Sequence, residues 1–169
     1  MTDKVLFSKN QILHMVRKMS RQMDEDYFSK GAVHVLVMMD CGVPFATELM
    51  KHINFPVYIH YIQVKRDNIG ESPKIKISNW PKNGFTDQNV LVLDVAVNHG
   101  NLMREVLQKV SKKAENYNIK IATLLKRKGA KVWINYMGGS IDTSDDIYGY
   151  GIHSGEGLDS NLTEIKIKS

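Results

Sequence analysis

The chemistry most legible in this chain sits in Val90-Leu91-Val92-Leu93-Asp94-Val95-Ala96-Val97-Asn98-His99-Gly100-Asn101-Leu102. Four consecutive apolar residues end in an acid, a short turn with one glycine follows, and an amphipathic run begins. A buried parallel strand that hands a loop to a helix N-terminus has this pattern. Helix N-termini present unpaired N–H groups and a partial positive charge, so such a loop is a natural phosphate cradle. Asn98 and His99 occupy places where a phosphate enzyme would carry an acid and a hydroxyl. Elsewhere the reactive side chains are sparse. Cys41 has no adjacent base to make it a nucleophile, and His153, able to ligate a transition metal, has no evident second ligand and reads as a surface histidine.

Strands and helices must position that loop. Ser8-x-x-Gln11 resembles a capping box, and Ile12, Met15, Val16, Met19 and Met23 then recur at helical spacing, which predicts an amphipathic helix over 9–24 with a methionine-rich core stripe. His14 lies off that stripe. Val33–Met38 reads as a strand. Asp40-Cys41-Gly42-Val43-Pro44 reads as a turn, with Pro44 suited to the first turn of a helix that points Phe45, Leu49, Met50 and Ile53 inward. Pro56–Val64 is a second strand, and Lys65–Pro73 a polar mobile loop. Lys74–Ile77 alternates like an edge strand, and Trp80–Gln88 is another loop. After the Val90–Leu93 strand, a helix is marked by Leu102, Val106, Val110 and Ala114. A strand over Ile119–Leu125 then delivers Lys126-Arg127-Lys128-Gly129 at its C-terminal end. Short strands are expected at Val132–Tyr136, Ile147–Tyr150 and Thr163–Ile167. Strand–helix–strand alternation predicts an α/β fold with a mainly parallel sheet. Ligands in such sheets bind beyond the carboxyl ends of the strands, the edge that carries Met39–Pro44, Lys65–Pro73, Asp94–Leu102 and Lys126–Gly129.

At 169 residues and 43% apolar, the chain is long enough for one well-filled core, and one domain over 1–169 is expected. No apolar run approaches a membrane span. Met1-Thr2-Asp3-Lys4 lacks the charged start and long apolar stretch of a signal peptide, and a single cysteine fits a reducing compartment, so a cytoplasmic protein is expected. The net charge of +5 is uneven. Residues 104–131 hold nine Lys/Arg against two Glu, and residues 142–159 hold five acids and no Lys or Arg. A basic segment attracts nucleic acid or phosphate ligands. With no aromatics interleaved in the sequence, a solvated face is the favoured reading and nucleic-acid binding the lesser one.

Val5-Leu6-Phe7-Ser8, Val90–Asp94, Ile121-Ala122-Thr123-Leu124-Leu125 and Ile147-Tyr148-Gly149-Tyr150-Gly151 are generic singly. In this order and spacing the chain, from about Val5 to Ile167, resembles the hypoxanthine-guanine phosphoribosyltransferases. The resemblance implies a type I phosphoribosyltransferase-like α/β fold, with a mainly parallel central sheet flanked by helices and a small hood. It implies transfer of ribose 5-phosphate from phosphoribosyl pyrophosphate (PRPP) to a purine nitrogen with Mg2+, in a homodimer or homotetramer.

Residue by residue, the implied site is heavily altered. Of the two adjacent acids that open the family's loop, Asp94 keeps the first and Val95 replaces the second. The aspartate assigned as proton acceptor corresponds to Asn98, and a neutral amide is no base near pH 7. Two phosphate-binding hydroxyls correspond to His99 and Leu102, while Gly100, Asn101 and the helix start remain to bind an anion. The Lys-Gly of the pyrophosphate loop corresponds to Asp40-Cys41, followed by Gly42, which reverses a charge beside a polyanion. The mobile loop lacks the family's Ser-Tyr pair but has Lys65 and Arg66. The lysine that contacts the purine corresponds to Arg127, the stacking aromatic to Asp146 beside Ile147, and the late magnesium aspartate to His153, leaving Asp94 and His153 as weak metal candidates. The altered set points to a phosphoribosyltransferase-like protein with weak or lost transfer activity that binds a purine nucleotide, a PRPP-like ligand or a protein. A divergent active purine-salvage enzyme anchored by Asp94 and Arg127, and a nucleic-acid regulator on the same fold, are the alternatives.

Overall fold

The computed structural model describes residues 3–39, 41–67, 74–82, 84–85, 89–114, 118–153 and 159–168, with backbone alone at 66, 67 and 74. The elements are β1 (Lys4–Phe7), α1 (Lys9–Tyr27), β2 (Val33–Met39), α2 (Gly42–Met50), β3 (Val57–Asp67), β4 (Lys74–Ser78), β5 (Asn89–Val97), α3 (Asn101–Lys113), β6 (Asn118–Arg127), β7 (Tyr136–Ile141), β8 (Ile147–Tyr148) and β9 (Ile165–Ile167).

A six-stranded sheet of order β4-β3-β2-β5-β6-β7 is parallel except for its β4 edge. β1, β9 and β8 form a separate antiparallel hood. The chain runs from β2 outward to β3 and then returns to place β5 on the other side of β2. The C-terminal ends of β2 and β5 therefore flank the switch point, where an open α/β sheet forms its ligand crevice.

Helices cover both faces. The capping box forms as read: the Ser8 N–H donates to Gln11 Oε1 at 2.8 Å and the Gln11 N–H to Ser8 Oγ at 3.4 Å. Ile12, Val16, Met19 and Met23 of α1 are buried with Phe45 and Leu49 of α2 against Val35, Val37, Leu91 and Leu93. On the opposite face Met103, Val106 and Val110 of α3 pack on Leu36, Val90 and Val92. The near-continuous apolar runs of β2 and β5 are the consequence of burial on both sides.

Three expectations are corrected. Val132–Tyr136 is not a strand; the strand is Tyr136–Ile141, whose Gly138-Gly139 pair looks like a turn. A Cβ at Gly138 would lie 2.6 Å from the Leu124 carbonyl oxygen and 3.1 Å from Met15 Cβ, so the glycine is what lets α1 sit on this strand. Lys65, Arg66 and Asp67 continue β3 instead of opening a loop, because they pair with Lys76, Ile75 and Lys74 in a two-stranded ribbon past the end of β2. The remainder of that loop, 68–73, lies outside the described residues. The strand expected at Ile147–Tyr150 ends at Tyr148, since Gly149 and Tyr150 have positive φ and leave extended geometry. Among the described residues no helix is long and apolar enough to cross a membrane.

Candidate functional site

β5 runs on to Val97, so Asp94 belongs to the strand and the loop shrinks to Asn98-His99-Gly100. Gly100 caps α3 with φ of 86°, a left-handed conformation costly for any side chain. Its space is closed as well: a Cβ there would meet Val132 Cγ1 at 2.9 Å. The Lys131 N–H donates to the His99 carbonyl at 3.2 Å, and the Arg104 N–H to the Gly100 carbonyl at 3.0 Å. The segment misread as a strand is thus the brace that holds the loop.

Asp94, Ala96, Asn98, His99, Gly100 and Asn101, with the start of α3, line one cleft of about 290 Å³. No side chain caps α3, so its first N–H groups face the cleft with the helix dipole behind them, an arrangement suited to an anion. Asn101 Oδ1 accepts from Arg104 Nη2 at 2.7 Å, and Leu102 leans on the α3 core. Both therefore offer the cleft their backbone more than their side chains.

Asp94 is half-buried, and its Oδ1 accepts the Val95 N–H at 2.8 Å. Burial pushes its carboxyl up to about 6, against the opposing pull of the Val95 and Ala96 amides. Val95, in the place of the second acid, is 1% exposed and part of the core. Its side chain packs in the core on the sheet face opposite Asp94.

Arg127 reaches the loop from the end of β6. Its Nε donates to Asn98 Oδ1 at 3.3 Å and its Nη2 to the Asp145 carbonyl at 3.1 Å, while Nη1 is buried with no hydrogen-bond partner among the described residues. Arg127 and Asn98 are therefore joined through a neutral amide. This contact links two segments 29 residues apart, and nothing in the sequence pattern announced it.

Gly42, at the start of α2, lies against the same strand, with a Cβ there 3.4 Å from the Leu93 carbonyl and 3.8 Å from Asp94 Cα. The hood closes over Cys41: a Cβ at Gly151 would lie 2.4 Å from the Cys41 carbonyl and 3.0 Å from Pro44. Sequence reasoning placed Asp40 here too, but Asp40 lies outside the described residues, as does the side chain of Arg66. Lys65 is exposed on the β3–β4 ribbon opposite Lys76, and no described contact brings it to the cleft.

Ile147 is buried in the main core at 7% exposure, which leaves only its backbone to a ligand. Asp146 is exposed, its carbonyl accepting from the Lys168 N–H at 2.9 Å. His153 is exposed just past the hood. Among the described residues no three His, Cys, Asp or Glu gather to hold a metal. Among the described residues Asp94 is the single carboxylate of the cleft lining. Mg2+ keeps several waters and is held by one or two carboxylates together with substrate phosphates, so Asp94 would supply a protein ligand to an ion carried mainly by a ligand's phosphates.

A doubly covered parallel sheet, a switch-point cleft at a strand–loop–helix junction and a small antiparallel hood define the type I phosphoribosyltransferase fold. The sequence model of the family described as "Phosphoribosyl transferase domain" matches residues 5–153, and the chain belongs to that family. Within it the likeness is to the hypoxanthine-guanine phosphoribosyltransferases. Such a protein from Streptococcus pyogenes is 28% identical over 132 residues, covering 77% of this chain and 72% of the relative. One from Streptococcus pneumoniae is 28% identical over 131 residues, 76% and 72% of the two chains. The crystal structure of a Bacillus anthracis hypoxanthine-guanine phosphoribosyltransferase superposes with a TM-score of 0.84 at 24% identity, covering 98% of both chains. A Staphylococcus aureus hypoxanthine phosphoribosyltransferase does so with 0.86 at 21%, covering 98% of this chain and 91% of that one.

Proposed function

We propose that this chain is a purine-phosphoribosyltransferase-like protein that keeps the ligand cleft and has largely or wholly lost the transfer chemistry. The observation that carries this reading is Asn98. It stands where the family has its proton acceptor, and its Oδ1 is engaged by Arg127 Nε. Loss of a general base costs about 10²–10⁴ in rate. The neighbouring changes point the same way: Val95 has joined the core, His99 is exposed, and Leu102 packs on α3's apolar side. What persists is the anion-binding part, namely the Gly100 turn and the open α3 N-terminus, with Asp94 beside it able to accept hydrogen bonds from sugar hydroxyls. Its ligand is a purine nucleotide or a PRPP-like sugar phosphate, with Mg2+ arriving on the ligand's own phosphate oxygens.

A second reading, a divergent active transferase, rests on two observations. Arg127 Nη1 is a buried donor with no partner among the described residues, and the Asp94 carboxyl, pushed up to about 6, titrates where a general base works best. Restoration separates the two. Introducing Asn98→Asp and His99→Thr together, with Val95 left in the core, is expected to tighten PRPP binding, read by calorimetry, and to raise nucleotide formation at least 10²-fold. A variant that folds but shows neither gain contradicts the assignment of this loop.

A further inference from the structure

The basic stretch of α3 has a neighbour the sequence did not reveal. Lys109, Lys112 and Lys113 lie at i, i+3 and i+4, on one side of the helix. That side faces β4 across a cleft of about 320 Å³ lined by Ile75, Lys76, Ile77, Trp80, Lys109, Lys112 and Lys113. Ile75 and Ile77 are buried at 4% and 8% and form an apolar floor. Trp80 is half-buried beside them, and the four lysines stand around the rim. Among the described residues the lining holds no acid and none of these lysines has an ion-pair partner.

We propose that this cleft is a binding site for single-stranded nucleic acid, separate from the phosphoribosyl cleft. An indole over an apolar floor is a stacking platform for an unpaired base, and every base has a π-face. Lysines three and four residues apart on a helix, with Cβ atoms about 5–6 Å from one another, present ammonium groups that contact successive backbone phosphates as point charges. A duplex hides the base faces the indole needs. An acidic peptide uses the lysines but leaves the indole without a planar partner. The chain's net charge of +5 favours approach of a polyanion.

The chain has two tryptophans, and Trp133 is 80% exposed, so Trp133→Phe leaves Trp80 as the single reporter. In that background a 12-residue oligouridylate is expected to quench Trp80 fluorescence. Its log affinity should fall against log salt with a slope of about −3, from four phosphate contacts at roughly 0.7 each. The exposed triple variant Lys109→Gln/Lys112→Gln/Lys113→Gln should reduce that slope by about 2. In a separate fluorescence-anisotropy titration with labelled oligouridylate, Trp80→Leu should weaken binding by roughly 5- to 150-fold, the stacking share of one base. The proposal is overturned if the oligouridylate fails to bind in 50 mM salt. It is overturned equally if uridine monophosphate, a same-length RNA duplex or polyglutamate binds as tightly, or if the triple variant leaves the slope unchanged.

Discussion

Replacing Asp94 by asparagine should stabilise the protein. The side chain is half-buried, accepts the Val95 amide through Oδ1, and burial raises its carboxyl from 3.8 to about 6. The fold therefore favours the neutral form, and the carboxyl's contribution to stability is full below about 3.8 and lost as pH rises through about 6. Each pKa unit corresponds to about 1.36 kcal/mol, so the ionised carboxylate costs the fold about 3 kcal/mol at pH 7.5. Asparagine keeps the oxygen acceptor and carries no charge. At pH 7.5 Asp94→Asn should gain up to about 3 kcal/mol, which for a chain of this size raises Tm by roughly 6–12 °C. At pH 4.5, where the folded carboxyl already holds its proton, the gain should shrink to about 1 kcal/mol. Calorimetry of both proteins at the two pH values reads this directly, and titration with PRPP should show weaker binding by the variant. An equal Tm shift at both pH values, or destabilisation at pH 7.5, refutes the reasoning. A destabilising acid kept in a ligand cleft is the stability–function exchange expected of a working site.

Four other outcomes follow from the same structure. His34 Nδ1 lies 2.9 Å from His60 Nε2, with Tyr58 and Phe85 around the pair. Burial first, and the His34 charge second, hold His60 below its usual value of 6.5, so the contribution of His60 itself is full above about pH 6.5 and lost below it; the stability difference between the unaltered protein and His60→Phe, read by urea titration, should be level above about pH 6.5 and move in favour of the variant below it. Gly138→Ala drives a Cβ to 2.6 Å from a backbone carbonyl and should cost about 1–3 kcal/mol or more, read by thermal melting. Gly100→Ala combines positive φ with the Val132 contact and should cost a similar amount while weakening phosphate binding. β3 is an open edge over Val57–Ile62 among the described residues, with Tyr58, Ile59 and Tyr61 exposed at 48%, 40% and 44%. We propose this edge as a contact between copies of the chain; light scattering should show a dimer or tetramer that Ile59→Asp reduces to monomer, and an unchanged mass contradicts it.

Legibility in the sequence followed burial. The α1 stripe, the twice-covered β2 and β5, and the alternating β4 were all readable because one or both faces pack in a fixed period. β7 was missed because its two glycines, required by the approach of Met15 and Leu124, carry the signal of a turn. The loop between the central strand and its helix was legible, yet its length was not, because Asp94–Val97 continue the ladder with β6. The Arg127–Asn98 link and the Trp80–lysine cleft join segments far apart in the chain. Such contacts depend on how the sheet brings loops together, and local periodicity carries no trace of them.

The proposed function keeps the fold and the anion cleft and gives up the transfer chemistry. The most direct measurement is nucleotide formation by the unaltered protein with saturating PRPP, Mg2+ and hypoxanthine, guanine or xanthine. Loss of the base at Asn98 predicts turnover at least 10²-fold below about 1 s⁻¹, with PRPP or nucleoside monophosphate still bound in a parallel titration. Turnover of about 1 s⁻¹ or more on any of these bases contradicts the account.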